Sequence, residues 1–85
     1  MIKSNRNQKM TLDSVKENIE VKIIEIEGGH QMKRQIEDIG IRKNDRVQIL
    51  QNSKSGPIIL MKNNLRVAIG RGMSKKITIE IVKEG

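Results

Sequence analysis

The sequence predicts a mainly β fold, a small five-stranded barrel with one short helix inserted after the first strand. Three observations predict it. Apolar residues alternate along five short stretches, the period of half-buried strands. Residues 30–39 alone carry apolar side chains at helical spacing. The connections are short and rich in Gly, Asn and Ser, the residues that turns require. With 85 residues the chain supports one modest core, and strands at this spacing in one small domain suggest a closed barrel.

Residues 1–9, MIKSNRNQK, are polar and lack periodicity, so a basic disordered tail is expected there and a single domain over 10–85. TLDSVKEN reads as a short helical turn that Thr11 can cap. IEVKIIEIE, 19–27, is the first strand. Ile19, Val21 and Ile23 share one face, but Ile24 and Ile26 fall on the opposite phase, and a slip of one residue predicts a bulge or sharp bend. Gly28 and Gly29 break the strand. In HQMKRQIEDI, 30–39, Met32, Ile36 and Ile39 make one apolar stripe for the core, and Lys33/Glu37 and Arg34/Asp38 are spaced as pairs on the outer face. Gly40 suits the left-handed residue that ends a helix, with Ile41 folding back onto the last turn. RKND then turns the chain into RVQIL, 46–50. After the loop QNSKSG, Pro57 can open a strand over 57–62. Asn63-Asn64 makes a two-residue turn to a strand over 65–69. GRGMSKK is a turn or a single helical turn, and ITIEIV, 77–82, is the fifth strand.

The chain has no cysteine and no aromatic residue. That excludes disulfides, a thiol nucleophile and cysteine-based metal cages, and it leaves an aliphatic core dominated by Ile. No apolar run approaches the length of a membrane span, and the N-terminal residues lack the apolar core of a signal peptide. The net charge of +7 is unevenly placed. Residues 1–9 carry +3, residues 10–41 carry −3, residues 42–76 carry +8 and residues 77–85 carry −1. Nine bases fall in the third segment, Arg42, Lys43, Arg46, Lys54, Lys62, Arg66, Arg71, Lys75 and Lys76, against Asp45 alone. Such a block suits an acidic partner, so these nine are the candidate partner-binding residues. The plainer reading is a solubilising surface on an Ile-rich barrel.

Chemistry is thin. His30 is the only histidine, so a two-histidine iron site cannot form within one chain. Glu25 and Glu27 share one face of a strand, and with His30 they are the weak candidates for holding Fe2+ or another divalent metal; exposed acids are the plainer reading. Glu37 and Asp38 are adjacent on a helix and do not face each other. GRG lacks the Lys and Ser/Thr spacing of a phosphate loop. No nucleophile sits beside a base, so an enzyme is not expected. Small basic barrels bind single-stranded nucleic acid, but this chain offers no aromatic platform for bases.

The order of the pieces resembles the ferrous iron transport protein A family, FeoA. The resemblance covers about residues 10 to 82 and rests on Gly28-Gly29 before the helix, on RQIEDIGI running into KNDRVQIL, and on the strand pair ending VAIGRGMSKKITI. It implies an SH3-like barrel with a helix after the first strand, and it makes Gly28, Gly29, Met32, Ile36, Ile39 and Gly40 structural positions. It also implies a small cytoplasmic accessory protein that docks on FeoB, a membrane ferrous-iron transporter with a cytoplasmic GTPase domain, and regulates it. No tightly bound cofactor is implied. The same barrel resembles the C-terminal domain of DtxR-type iron-dependent repressors, whose DNA-binding and metal-binding parts this length lacks. Asn44 stands where many FeoA members carry Gly, and Glu17-Asn18 where many carry Pro-Gly; Asn can take the same turn geometry. Open strand edges leave self-association an alternative to a foreign partner.

Overall fold

A computed structural model describes residues 10–82, so the tail expected at 1–9 lies outside the described residues. The elements in chain order are β1 (Met10–Thr11), a 3-10 turn (Leu12–Ser14), β2 (Glu20–Ile26), α1 (His30–Ile39), β3 (Arg46–Gln51), β4 (Ile58–Lys62), β5 (Leu65–Ile69), α2 (Arg71–Ser74) and β6 (Ile77–Ile81). All strands belong to one sheet in the order β1-β6-β2-β3-β4-β5, and every pairing is antiparallel. The five expected strands are β2 to β6, and together they have the SH3-like arrangement. The sixth, β1, is only two residues long, too short for alternation to reveal it.

Bulges bend the sheet where the sequence slips phase. Ile23 pairs with Ile79 and Glu25 with Thr78, so Ile24 is the extra residue. Val21 and Ile23 are buried before it and Ile26 after it, which converts an odd-numbered apolar face into an even-numbered one. A second register shift lies at Leu50, between the pairs Ile49/Leu60 and Gln51/Ile59. The core holds fourteen buried apolar residues, and nine are Ile. β-Branched side chains suit a pleated surface, so an aliphatic core without aromatics still fills the barrel.

The helix covers part of this core. Ile36 is fully buried, Met32 is half-buried against the core, and Ile39 is half-buried at the last turn. Gly40 has φ 106 and ψ 11, its N–H donates to Glu37 O at 2.9 Å, and the Ile41 N–H donates to Ile36 O at 3.2 Å. This is a Schellman ending, and it sends Ile41 into full burial. Lys33/Glu37 and Arg34/Asp38 are not within 4.0 Å of each other among the described residues, as is common for exposed pairs in water.

Thr11 precedes the 3-10 turn but does not cap it. Its hydroxyl donates to Asp13 Oδ1 at 2.5 Å, while the Ser14 hydroxyl donates to Thr11 O at 2.8 Å. Asn18 and Asn44 have φ of 67 and 76, so both asparagines occupy left-handed turn positions that elsewhere favour glycine.

Candidate docking surface

The nine basic residues of the central segment divide into two kinds. Lys62 and Arg71 are bonded within the fold. Lys62 Nζ donates to Gly40 O at 2.5 Å and pairs with Asp45 Oδ2 at 2.8 Å. The same Asp45 oxygen accepts the Arg42 backbone N–H at 2.7 Å. A cation on the last carbonyls of a helix is favoured by the helix dipole, so this cluster ties α1, the turn after it and the β4–β5 hairpin together. Arg71 Nε donates to Gly56 O at 3.2 Å, and its terminal nitrogen donates to Asn52 Oδ1 at 2.9 Å and to Ser53 O. Asn52 in turn donates from Nδ2 to Asp13 O at 3.0 Å and Val15 O at 2.6 Å. Arg71 therefore organises the loop before β4 and, through Asn52, the opening turn.

The other seven are exposed: Arg42 and Lys43 in the turn after α1, Arg46 on β3, Lys54 in the loop before β4, Arg66 on β5, and Lys75 and Lys76 after α2. Lys43 makes a loose pair with Glu25 at 3.8 Å. Arg46 and Arg66 lie on the sheet face turned away from the core, since their neighbours Val47 and Val67 point inward. Register adds a residue that the charge block omits: Lys22 on β2 sits directly opposite Arg46. Like charges opposite each other in a sheet are destabilising. Glu80 flanks Lys22 on the other side, yet none of Lys22, Arg46 and Arg66 has a described carboxylate within 4.0 Å. Gln48 and Met61 pair across the next row, with Arg66 opposite Met61. The result is an outer face on which Lys22, Arg46 and Arg66 outnumber Glu20, opposite Gln48, and Glu80, opposite Lys22. Its signal was present in the alternation of β2, but recognising it requires the pairing partner.

The cation candidates are not assembled. His30 opens α1, and Glu25 and Glu27 are exposed at the end of β2. Among the described residues no three His, Asp or Glu side chains converge to hold an ion, so the donors present do not fit a built metal site. Gly28 and Gly29 are positioned by geometry. Gly28 has φ 110, and a Cβ there would meet the Met32 side chain at 3.1 Å. Gly29 occupies the position before α1. A shallow depression beside it is lined by Gly29, Gln31, Met32 and Gln35 and contains no titratable group. No helix of the described residues is long and apolar enough to cross a membrane.

Fold and surface together define a class, the small SH3-like β domains. The chain belongs to the FeoA domain family, whose pattern matches residues 10–81. It is 30% identical over 70 residues to a Methanocaldococcus jannaschii protein described as an Fe(2+) transport protein A, covering 82% of this chain and 84% of that one. The crystal structure of an iron uptake regulatory protein, FeoA, superposes with a TM-score of 0.82 at 23% identity, over 88% of this chain and 100% of that chain. The manganese regulator SloR shares the fold with a TM-score of 0.76 at 18% identity, over 85% of this chain but 34% of that chain. The likeness to metal-dependent repressors therefore lies in one domain of a larger protein.

Proposed function

We propose that this chain is a cytoplasmic accessory of ferrous iron uptake that docks on the cytoplasmic region of the membrane transporter FeoB and regulates it. Membership of the FeoA family supports the pathway. The observation that carries docking is the outer face where Lys22 and Arg46 lie opposite each other, with Arg66 on the same face and no described carboxylate within 4.0 Å of any of the three. Charge placed this way steers an acidic partner and raises the rate of productive encounter.

The test is binding of this chain to the purified cytoplasmic region of the transporter, with a single-stranded oligonucleotide in parallel, at about 150 mM salt, where weak attraction is partly screened. Saturable binding to the transporter region alone is expected. Binding to the oligonucleotide alone would transfer the basic face to phosphate recognition and overturn the docking reading.

A further inference from the structure

We propose that the free edge of β5 is a strand-addition site for an extended segment of a protein partner in which acidic and apolar residues alternate. The proposal rests on the docking reading above and adds where and how the partner is held.

The edge follows from topology. β5 is the last strand of the sheet and pairs with β4 alone. Its five residue pairs run without a register shift. No described backbone hydrogen bond outside that hairpin involves residues 65–69. The direction of its free groups follows from the turn. Asn63 and Asn64 have φ of 52 and 69, a type I′ turn, which makes Lys62 and Leu65 the closing hydrogen-bonded pair. Bonding then alternates along an antiparallel pair. Leu65, Val67 and Ile69 bond to β4, and the N–H and C=O of Arg66 and Ala68 face outward, both on exposed residues. Sheet edges are usually blunted by proline, bulges, inward charges or brevity. β1, at the other edge, is two residues long. β5 has none of these devices, and its one charge, Arg66, is exposed and points away from the core.

The side chains specify the occupant. Leu65 is 68% exposed, the one large hydrophobic so exposed among the described residues. It shares a face with Val67, which is half-buried. An added strand would cover both with apolar residues at every second position. The intervening positions lie on the outer face beside Arg66, with Arg46 two strands away. From Arg46 to Lys76 the sequence has no Asp or Glu, so the matching residues are acidic. A second copy could pair antiparallel about Val67, but that would put both Arg66 side chains on one face of two chains that each carry +7. An acidic strand gains where a second copy is repelled. Main-chain bonds supply affinity in such additions, and alternating side chains supply specificity.

The experiment follows amide hydrogen exchange in the full chain with a short peptide of alternating Val and Glu. The control is the same peptide N-methylated on the amides that would face β5. At saturation the unmethylated peptide slows exchange at Arg66 and Ala68 by about tenfold or more, and the methylated one does not. Ala68→Pro removes one outward donor, leaves the bonds to β4 in place, and weakens peptide binding by about tenfold at an unchanged melting midpoint. Arg66→Glu shifts preference to a peptide of alternating Val and Lys, which keeps the proposal testable if the proline variant fails to fold. Equal binding of the methylated peptide would reduce the site to charge alone and overturn strand addition. Protection at Arg66 and Ala68 that grows with chain concentration without peptide would assign the edge to a second copy. If the transporter region binds wild type and Ala68→Pro alike, strand addition falls and docking stands. If it binds neither while the peptide still protects the edge, docking falls and the edge stands.

Discussion

Arg71 donates to Gly56 O, Asn52 Oδ1 and Ser53 O, and so holds a loop that has no regular structure of its own. Its acceptors are partly reached by water, so Arg71→Ala should cost about 1–2 kcal/mol, less than the loss of a fully buried network. A denaturant midpoint with an unchanged slope would measure it, and docking should change by less than about twofold. Ile36 is a stronger case because it is fully buried under the helix. Ile36→Lys both deletes apolar contact and buries a charge, which should cost roughly 4 kcal/mol or more, much of a small domain's stability. A variant as stable as wild type would make the helix stripe a binding face. The apolar positions were legible one by one, because burial follows from hydrophobicity and period. The roles of the cations were not. Lys62 and Lys54 differ only in whether Gly40 O and Asp45 lie within reach, and that depends on chain segments distant in sequence.

At the scale of elements, what could be read was what local chemistry decides. The two-phase pattern of residues 19–27 announced the bulge at Ile24, and Gly40 announced the helix end. β1 was not legible, because two residues paired to Ile79 and Thr78 owe their extension to β6 and not to their own propensity. The Gly40 position lends itself to a comparison. A Cβ there would meet nothing within 4 Å, yet φ is 106. Gly40→Ala should therefore lose about 1–2 kcal/mol through backbone strain alone. Asn44 already sits at φ 76, so Asn44→Gly should stay within about 0.5 kcal/mol of neutral, relieved strain offsetting a more flexible unfolded chain. Thermal unfolding of the two variants side by side checks this. Equal losses would mean that side-chain contacts, not backbone conformation, hold the turn.

For the whole molecule, charge is arranged independently of the core. The barrel folds around fourteen buried apolar residues, while Arg42, Lys43 and Arg46 are exposed at the turn and at the start of β3. Their backbone is already fixed: Asn44 N–H donates to Ile23 O at 2.7 Å and Ile23 N–H to Asp45 O at 2.8 Å. Reversing all three charges should thus leave the fold intact, apart from the loose Lys43–Glu25 pair at 3.8 Å, which contributes little in water. Docking should respond differently, because the field of the basic face acts on the encounter before contact is made. The folded triple variant Arg42→Glu, Lys43→Glu, Arg46→Glu should bind the transporter's cytoplasmic region at least about tenfold more weakly, chiefly through a slower association rate, at a melting midpoint within a few degrees of wild type. Raising salt should weaken wild type toward the variant, since screening removes the same attraction that reversal removes. Unchanged affinity in the folded triple variant would overturn the electrostatic reading and place docking on another face.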